Sequence, residues 1–438
     1  MKRIPILLSV IVLMFSILAG CSSSASERSN KADSNSGTID LTWYYPVNVG
    51  GTITEVIDKY AKDFNHAGIK VNGKNVTVTP VYSGNYDETM TKVQTAIKNG
   101  KSPDLSVQLS VDLFQIKNSI IPLDDFIKND SEAQEMVGDF FPGFMKNAQT
   151  DGKTWSIPFQ RSTVILYYNK DMFKEAGLDP ETSPTTWEEV IEYGKKLTKK
   201  GQWGIELPAT VSGYWIYQAL YLQNSDSNMM SDDGKEVYLN TDEAKEALQY
   251  WVDLNNKHEI MPEGVLDWST VPTDFIEGKT AMMLTTTGNL TNVKNNANFD
   301  FGVAFLPGNK RVATPTGGGN FYIFKDTSEE RQQAAFEFIK WITEPTRAAE
   351  WSMNTGYIAT RQSSYETEAL KEYVGAFPQA KVAMEQIEFA NKEISVYEQG
   401  KIQKIIHDAL QAAINGADVN ETLDKAQAEA EATLKAYQ

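Results

Sequence analysis

The sequence of 438 residues contains one cysteine, Cys21, so an intramolecular disulfide is impossible. It also contains only three histidines, His66, His258 and His407, which stand far apart in polar helical contexts. The motifs HExxH, paired Cys/His and DxDxDG are absent. Because these are the commonest sequence signals of zinc and calcium sites, we expect neither a metal site nor a cofactor.

Signals of catalysis are scarce as well. GxSxG is absent, which removes the commonest signal of a serine hydrolase. Gly278-Lys279-Thr280 resembles the end of a phosphate-binding loop, but GxxxxGK[ST] needs a glycine where this chain has Thr273. A pair of acidic residues acting as in a glycoside hydrolase is the enzymatic alternative. No motif supports it, and we expect a protein that is not an enzyme.

Basic charge and long hydrophobic runs are also in short supply. Lys and Arg number 41 against 58 Asp and Glu, which gives a net charge of −17. This charge argues against nucleic acid as a partner, because the phosphate backbone is itself anionic. After residue 19 no hydrophobic run approaches the length of a membrane span, about 18 residues. We therefore expect a globular body outside the membrane.

The start of the chain carries an export pattern. Lys2 and Arg3 precede a mainly apolar run over residues 4–19, and the run ends in LAGC at residues 18–21. LAGC resembles the bacterial lipoprotein box, in which the cysteine is lipidated and becomes the mature N-terminus. We expect a signal peptide over residues 1–20, a lipid on Cys21 and a flexible tether over 21–38, which is polar throughout. The alternative is an ordinary signal peptide.

From residue 40 onwards, strand and helix patterns alternate. Strand patterns cover 40–46, 76–81 and 105–109, and helical spacing covers 53–64 and 86–98. This order predicts an α/β fold with a parallel sheet. Further patterns predict a strand at 163–168 and helices at 187–197, 242–255, 332–342 and in the last 30 residues.

Aromatic residues and glycines are the best candidates for a binding site. Tyr86 and Trp215 stand in SGNY and SGYW, where glycine and serine predict exposed turns. Their rings suit sugars and polyols, which are apolar on their faces and polar at their rims. The segment TGGGN (316–320) predicts a loop before a strand at 321–324, with backbone N–H groups open to a ligand. A plain flexible loop is the alternative.

Several motifs resemble one family along most of the chain. They are SGNY (83–86), PF (158–159), LYYNKD (166–171), AGLDP (176–180), TW (186–187), FIEGKTAM (275–282), GGG (317–319) and TGY (355–357). The family is that of the extracellular solute-binding proteins (family 1) of ABC importers, and the branch is that of the glycerol-3-phosphate binders. The resemblance implies a two-lobed periplasmic-binding-protein fold with a hinge and an interlobe ligand cleft. The lobes implied are 39–162 with 297–325, and 163–296 with 326–438.

The same resemblance implies the ligand contacts. They are Tyr86, Ser162, Trp215, Gly318 and Tyr357, and Thr287 matches a region that carries a ligand-contacting serine.

Two positions depart from the branch. Ser110 replaces a glutamate, and Ser395 or a close neighbour replaces a phosphate-binding arginine. Arg161 or Arg361 could supply the missing cation. The ligand is therefore expected to be glycerol 3-phosphate or a glycerophosphodiester, and a mono- or oligosaccharide is the alternative.

The resemblance implies two kinds of partner, a small-molecule ligand and the transmembrane subunits of an ABC permease. It places the protein at the extracellular face of the cell membrane. We expect a monomer that touches the membrane only through the lipid on Cys21.

Overall fold

A nine-stranded sheet organises the computed structural model, which describes residues 37–438. The expected signal peptide, the lipidation site Cys21 and all but the end of the tether lie outside the described residues. Within residues 37–438, no helix is both long enough and apolar enough to cross a membrane. The described residues form a compact unit by themselves.

The strands vary from two to thirteen residues. They are β1 (Thr38–Tyr45), β2 (Lys70–Val71), β3 (Lys74–Tyr82), β4 (Leu105–Leu109), β5 (Gln149–Thr150), β6 (Lys153–Thr154), β7 (Ile157–Asn169), β8 (Met282–Thr286), β9 (Phe301–Ala304), β10 (Thr314–Ile323) and β11 (Ala390–Asn391).

The first nine helices lie before residue 225. They are α1 (Ile53–Ala67), α2 (Tyr86–Lys98), α3 (Leu113–Ile116), α4 (Asp124–Lys128), α5 (Ser131–Asp139), α6 (Pro142–Met145), α7 (Lys170–Glu175), α8 (Trp187–Leu197) and α9 (Gly213–Asn224). The remaining α-helices of the described chain are α10 (Asp242–Asn256), α11 (Thr270–Ile276), α12 (Leu290–Asn296), α13 (Glu329–Ile342), α14 (Pro345–Thr355), α15 (Glu368–Ala376), α16 (Gln379–Glu385), α17 (Gln399–Ile414) and α18 (Val419–Leu434).

The sheet is mixed, whereas the sequence predicts a parallel one. Its order is β2-β3-β1-β4-β10-β7-β8, with β11 beside β10 and β9 beside β7. The first α/β units do pair in parallel, since β1 lies between β3 and β4. Strands β4, β10, β7, β8 and β9 pair antiparallel. The local alternation of strands and helices in the sequence predicts the parallel units correctly. It holds no information about a strand such as β10, which pairs with β4 although about two hundred residues separate the two in sequence.

Two large hydrophobic clusters lie along the sheet. The first packs β1, α1, α13 and α14 together, with Trp43, Phe338 and Trp351 at its centre. The second surrounds α9, α10, α17 and α18. Strand β7 belongs to both clusters, because Phe159 packs in the first and Leu166 in the second. Strand β10 likewise begins directly after Ala313 of the second cluster and contains Phe321 of the first.

The clusters do not follow the expected lobe boundaries at residues 296 and 325. Ala304 and Leu306 pack with the second cluster, so β10 carries the chain back to the first near residues 317–319. Helices α13 and α14, expected in the C-terminal lobe, pack against β1 and α1. The lobe limits stay a prediction, and the packing favours grouping residues 320–357 with the N-terminal segment.

Two further expectations about elements need correction. The glycine triplet is not a loop: residues 316–319 pair with β7, and a register shift follows at Gly319/Asn320. The C-terminal 30 residues hold the end of α17 and the whole of α18, rather than one helix. Gly416, with φ at +97°, lies between these two helices, in a conformation that L side chains rarely adopt. Predicted helices 86–98 and 187–197 match α2 and α8.

Candidate functional site

A pocket opens where β7 and β10 pass between the two clusters, and we call it the inner pocket. Its walls come from strand ends, from the start of α9 and from the segments around residues 48 and 393. The lining residues are Asn48, Val49, Tyr86, Leu109, Ser162, Ser212, Tyr214, Trp215, Trp268, Thr286, Gly318, Tyr357 and Glu393. This mixture of apolar rings and a few polar groups is typical of small-molecule sites. The volume is about 30 Å³, however, so a solute must also occupy adjoining space or move the walls apart.

Five residues named from the sequence line this pocket: Tyr86, Ser162, Trp215, Gly318 and Tyr357. They come from positions as far apart in sequence as 86 and 357, so the fold brings a dispersed set together. Ser110, Arg161, Thr287 and Arg361 do not line it.

Tyr86 is placed by the start of α2 rather than by an exposed turn. Asn85 caps this helix: its side chain accepts from the backbone N–H of Glu88, and the Glu88 side chain accepts from the backbone N–H of Asn85. The Tyr86 ring is buried, and its hydroxyl donates to Gln160 Oε1 at 3.0 Å. The SGNY motif therefore marks a helix cap, which aims the tyrosine inward.

Trp215 lies on the first turn of α9, which is buried along its whole length. Its indole N–H donates to the backbone oxygen of Thr316 at 2.9 Å, which ties α9 to β10. The ring edge passes so close to Gly317 that a Cβ there would lie 2.4 Å from Trp215 Cζ2. Trp268 stands 6.4 Å from Trp215, centroid to centroid. The expectation of an exposed turn is wrong here too, because the apolar α9 buries Trp215.

Gly318 shows why the glycine triplet is needed inside a strand. Its φ is +92°, and a Cβ would lie 1.8 Å from the backbone oxygen of Gln160. Arg161 Nη1 in turn donates to the backbone oxygen of Gly318 at 3.0 Å. Only glycine allows β7 and β10 to approach this closely beside the pocket.

Glu393 carries the one Asp or Glu carboxyl group in the lining of the inner pocket, and no sequence motif marks it. Tyr214 donates its hydroxyl proton to Glu393 Oε1 at 2.8 Å, whereas Oε2 has no hydrogen-bond partner among the described residues. The side-chain amide of Asn147 pairs with both the N–H and the C=O of Glu393, each at 3.0 Å. The carboxylate is thus held firmly, with one acceptor oxygen free.

The surroundings of Glu393 make it easy to protonate. Burial raises the pKa of its carboxyl to about 7, although the Arg161 charge and the nearby Tyr214 and Ser110 hydroxyls lower it. Desolvation outweighs these three because the side chain is almost wholly excluded from water. The only signal in the sequence is its place two residues before Ser395, the position that departs from the glycerophosphate branch.

Arg161 lies behind the pocket wall rather than in it. It is fully buried, and its Nη1 binds Gly318 and Asn320, while its guanidinium carbon lies 5.2 Å from the centre of the Phe144 ring. Burial lowers its pKa to about 10, and Glu393 opposes that shift. Its charge therefore acts on Glu393 instead of facing a ligand.

The other three predicted residues also lie outside the lining. Arg361 Nε donates to Asp139 at 2.7 Å, and this ion pair joins α5 to the segment after α14. Ser110 is fully buried beside Glu393. Thr287 is buried in a short 3₁₀ turn, and its neighbour Thr286 lines the pocket instead. The expectation that Arg361 supplies a cation to the site is not supported by this geometry.

A larger cavity of about 350 Å³ adjoins the inner pocket, and we call it the outer pocket. The two share Asn48, Tyr86, Leu109, Ser212 and Tyr214. The outer pocket is otherwise lined by Asp87, Val211, Gly400, Gln403, Lys404, His407, Asp408 and Gln411. Within residues 37–438, no group of three His, Cys, Asp or Glu residues is placed to hold a metal ion.

Comparison with known proteins shows the family. Residues 59–378 match the family model described as bacterial extracellular solute-binding protein, and this chain belongs to that family. The resemblance to solute-binding proteins of ABC importers, inferred from the motifs above, is confirmed, as is the two-lobed periplasmic-binding-protein fold.

Among its relatives is the sn-glycerol-3-phosphate-binding periplasmic protein UgpB of Salmonella typhimurium. It is 27% identical over 354 residues, which are 77% of this chain and 78% of that protein. The UgpB of Mycobacterium tuberculosis in complex with glycerophosphocholine superposes with a TM-score of 0.78 at 24% identity, over 92% of this chain and all of that one. The cyclic α-maltosyl-1,6-maltose binding protein of Arthrobacter globiformis gives 0.76 at 25% identity, over 91% of this chain and all of that one.

Proposed function

We propose that this chain captures a small polyhydroxylated solute without net negative charge, a saccharide or polyol, and delivers it to an ABC permease. One observation carries the choice of ligand: the inner pocket is lined by the carboxyl group of Glu393, and one oxygen of this group has no hydrogen-bond partner among the described residues. A ligand hydroxyl can donate to that oxygen, whereas an ionised phosphate oxygen has no proton to donate and meets like charge whenever the carboxyl is ionised.

The rest of the inner pocket fits the same ligand class. Trp215, Trp268 and Tyr357 offer apolar faces, and Ser162 and Thr286 offer hydroxyl groups at the rim. No arginine or lysine lines the inner pocket, because Arg161 is turned to Gly318 and Arg361 to Asp139. In this pocket, free glycerol 3-phosphate would therefore lack a guanidinium group that donates two hydrogen bonds to its phosphate, which is the contact that such an anion favours.

A glycerophosphodiester with a cationic head group is the second candidate, and the likeness to the Mycobacterium tuberculosis UgpB in complex with glycerophosphocholine favours it. Its quaternary ammonium would be attracted to Glu393 and to the faces of Trp215 and Trp268. Its phosphate would still lack a cation in the inner pocket.

We further propose a delivery scheme in which the ligand bridges the two clusters and favours the state that contacts it from both sides. Ser162 and Gly318 lie where the antiparallel pair of β7 and β10 passes from one cluster to the other, so they are placed to act near a hinge. The proposal also includes export of the protein, a lipid on Cys21, a monomeric state and a role that is not enzymatic. Loss of membrane association on Cys21→Ser, with the mature protein released to the medium, would test the anchor.

Isothermal titration calorimetry of residues 37–438 tests the ligand class. The panel contains glucose, maltose, maltotriose, ribitol, glycerophosphocholine and glycerol 3-phosphate. We expect heat from a saccharide or from ribitol, little change in affinity between 50 and about 300 mM salt, and none from glycerol 3-phosphate. Tight, salt-sensitive binding of glycerol 3-phosphate would contradict the proposal, and heat from glycerophosphocholine alone would select the second candidate.

A further inference from the structure

The segment that carries Glu393 into the inner pocket has no regular secondary structure. We call residues 392–396 the strap; they lie between β11 and α17, and residues 393–396 are buried. Buried backbone N–H and C=O groups need partners, and a segment outside helices and sheets must find them elsewhere. The strap therefore depends on side chains from the rest of the fold.

Asn147 pairs with the strap at Glu393 itself. Its Oδ1 accepts from the backbone N–H of Glu393, and its Nδ2 donates to the backbone oxygen of the same residue, each at 3.0 Å. Asn147 lies between α6 and β5, is 1% exposed and lines neither pocket. Two hydrogen bonds to one residue restrain the backbone at Glu393 and hence the direction in which its carboxyl points.

Helix α9 holds the strap at the neighbouring residues. Gln218 Nε2 donates to the backbone oxygen of Lys392 at 3.1 Å, and Gln218 Oε1 accepts from the backbone N–H of Ile394 at 3.0 Å. Asn228 Nδ2 donates to the same Lys392 oxygen at 2.7 Å. This alternation is the hydrogen-bond pattern of an extended strand, with Asn147 along one edge and Gln218 along the other.

Asn147 also contacts the strand that supports Trp215. Thr316 Oγ1 donates to Asn147 Oδ1 at 3.3 Å, and the backbone oxygen of Thr316 accepts from the indole N–H of Trp215 at 2.9 Å. The next residue after Asn147, Ala148, belongs to the first hydrophobic cluster, whereas α9 lies in the second. One amide thus connects the carboxyl and the main aromatic ring of the inner pocket.

The carboxyl of Glu393 needs such restraint because its place is unfavourable. Oε1 accepts from the hydroxyl of Tyr214, but Oε2 has no partner among the described residues. A buried polar group without a partner is costly, so a side chain on a loosely held segment would turn toward water. The strap and its amide partners oppose that movement.

We propose that Asn147 is a positioning residue of the ligand site: with Gln218 it holds the strap from opposite edges and so fixes the Glu393 carboxyl in the inner pocket. Asn147 does not touch the ligand and acts through Glu393. This inference rests on the proposed function, since it assigns an indirect part in ligand capture to side chains outside the lining.

Calorimetry on residues 37–438 tests the effect on binding, with glucose, maltose, ribitol and glycerophosphocholine as probes. We expect Asn147→Ala to weaken the compound that binds the wild type about three- to tenfold. Asn147→Ser keeps a hydroxyl that can pair with one of the two backbone groups, so its loss should be smaller. If Asn147→Ala does not fold, Asn147→Ser takes its place in every test.

Asn65 offers a matched control. Its side chain makes the same double contact, accepting from the N–H of Val78 at 2.7 Å and donating to the oxygen of Val78 at 3.1 Å. It lines neither pocket. Asn65→Ala should change affinity by less than about twofold. Unchanged affinity in Asn147→Ala, or an equal loss in Asn65→Ala, would overturn the proposal.

A double-mutant cycle separates positioning from general support of the fold. Glu393→Ala leaves no carboxyl to position, so adding Asn147→Ala to it should cost less than about a further twofold. The same loss with and without the Glu393 side chain would show that Asn147 does not act through that carboxyl, and would contradict the proposal.

The pH dependence of unfolding gives a readout without ligand. The apparent pKa of Glu393, taken from each protein with and without Glu393→Ala, should fall from about 7 by at least about one unit in Asn147→Ala, because the carboxyl reaches water. It should stay in place in Asn65→Ala. The titratable groups that act on Glu393, or on which it acts, are unchanged in both variants: Tyr86, Asp112, Arg161, Tyr214 and Tyr322.

The two proposals can fail separately. An unmoved pKa in Asn147→Ala would overturn the positioning role and leave the ligand class standing. If none of the four compounds binds the wild type, the proposed function falls, and the pH series still decides whether Asn147 positions Glu393.

Discussion

The inner and outer pockets adjoin each other, yet they are built in different ways. The inner pocket is made from buried strand ends and aromatic rings, and its geometry depends on Gly318 and on the backbone pairing of Asn147 with Glu393. The outer pocket is made from the polar face of α17 and is lined by long side chains such as Gln403 and Lys404. The shape of the inner pocket therefore depends on backbone contacts, whereas that of the outer pocket depends on the conformations of long side chains.

The largest effect is expected where the inner pocket depends on backbone geometry. Gly318→Ala places a Cβ 1.8 Å from the Gln160 oxygen at φ +92°, so β7 and β10 must move apart. We expect a loss of about 3 kcal/mol in the free energy of unfolding, measured by urea denaturation. Gly138→Ala is the matched control, because Gly138 lies in α5 with no atom near its Cβ position. It should leave stability unchanged or slightly higher. Equal stability of the two variants would show that the close strand approach is not needed.

Removal of the main aromatic face should affect ligands of every length. Trp215→Ala is expected to weaken saccharide binding at least about a hundredfold, about 2.7 kcal/mol, because the ring contacts the unit in the inner pocket. Binding is measured by calorimetry, after far-UV circular dichroism has shown that the variant is folded. Trp203→Ala, at a tryptophan that lines neither pocket, is the control. Unchanged saccharide affinity in Trp215→Ala would show that the ring does not contact the ligand.

Part of this contrast between the pockets could be predicted from the sequence, and part could not. Three of the pocket residues, Tyr86, Gly318 and Tyr357, were predicted through the motifs SGNY, GGG and TGY. Each motif reflects a local structural requirement, such as a helix cap or a close approach of two backbones. Glu393 was missed because its role depends on Tyr214 and Asn147, which are 179 and 246 residues away along the chain. No local pattern contains such a pairing.

Burial was the hardest property to predict. Trp215 was expected in an exposed turn because glycine and serine precede it, yet α9 is covered on all sides by the second cluster. Arg161 or Arg361 was expected to supply a cation to the ligand. Arg361 pairs with Asp139 instead, and Arg161 is buried behind the pocket wall, where Nη1 binds the oxygens of Gly318 and Asn320 and where Nε and Nη2 have no partner among the described residues. Tertiary contacts outweighed the local residue preferences at all three positions.

The pH dependence of stability tests the raised pKa of Glu393. Because the pKa of Glu393 is raised from 4.5 to about 7, the folded protein retains a proton that the unfolded chain has released. The stabilisation from this group is full below pH 4.5 and is lost as the pH rises through 7. We expect the wild type to lose about 2–3 kcal/mol more than Glu393→Gln between pH 5 and 8, as measured by denaturation at each pH.

Glu206 supplies the control for that experiment. It is buried outside both pockets, and burial raises its pKa to about 7 as well. Glu206→Gln should also reduce the loss of stability at high pH, but it should leave ligand affinity unchanged. Glu393→Gln should weaken saccharide binding about tenfold. Equal affinity of both variants would remove Glu393 from the ligand site.

The smallest effect on binding is expected at Arg361. Its guanidinium is bound to Asp139, away from the inner pocket, so Arg361→Ala should change ligand affinity by less than about twofold. The same change should lower the unfolding free energy by about 1–3 kcal/mol, because Asp139 is left without its partner. Arg361→Lys tests whether charge alone is enough for that stability. A large loss of affinity in Arg361→Ala would show that the arginine reaches the ligand after all.

The measurement that tests the central claim most directly is a crystal structure of residues 37–438 with the compound that releases heat in the titrations. We predict a ligand hydroxyl oxygen about 2.7 Å from Glu393 Oε2 and a ring of the ligand against Trp215. A ligand bound elsewhere, or a phosphate group in contact with the guanidinium of Arg161, would contradict the account.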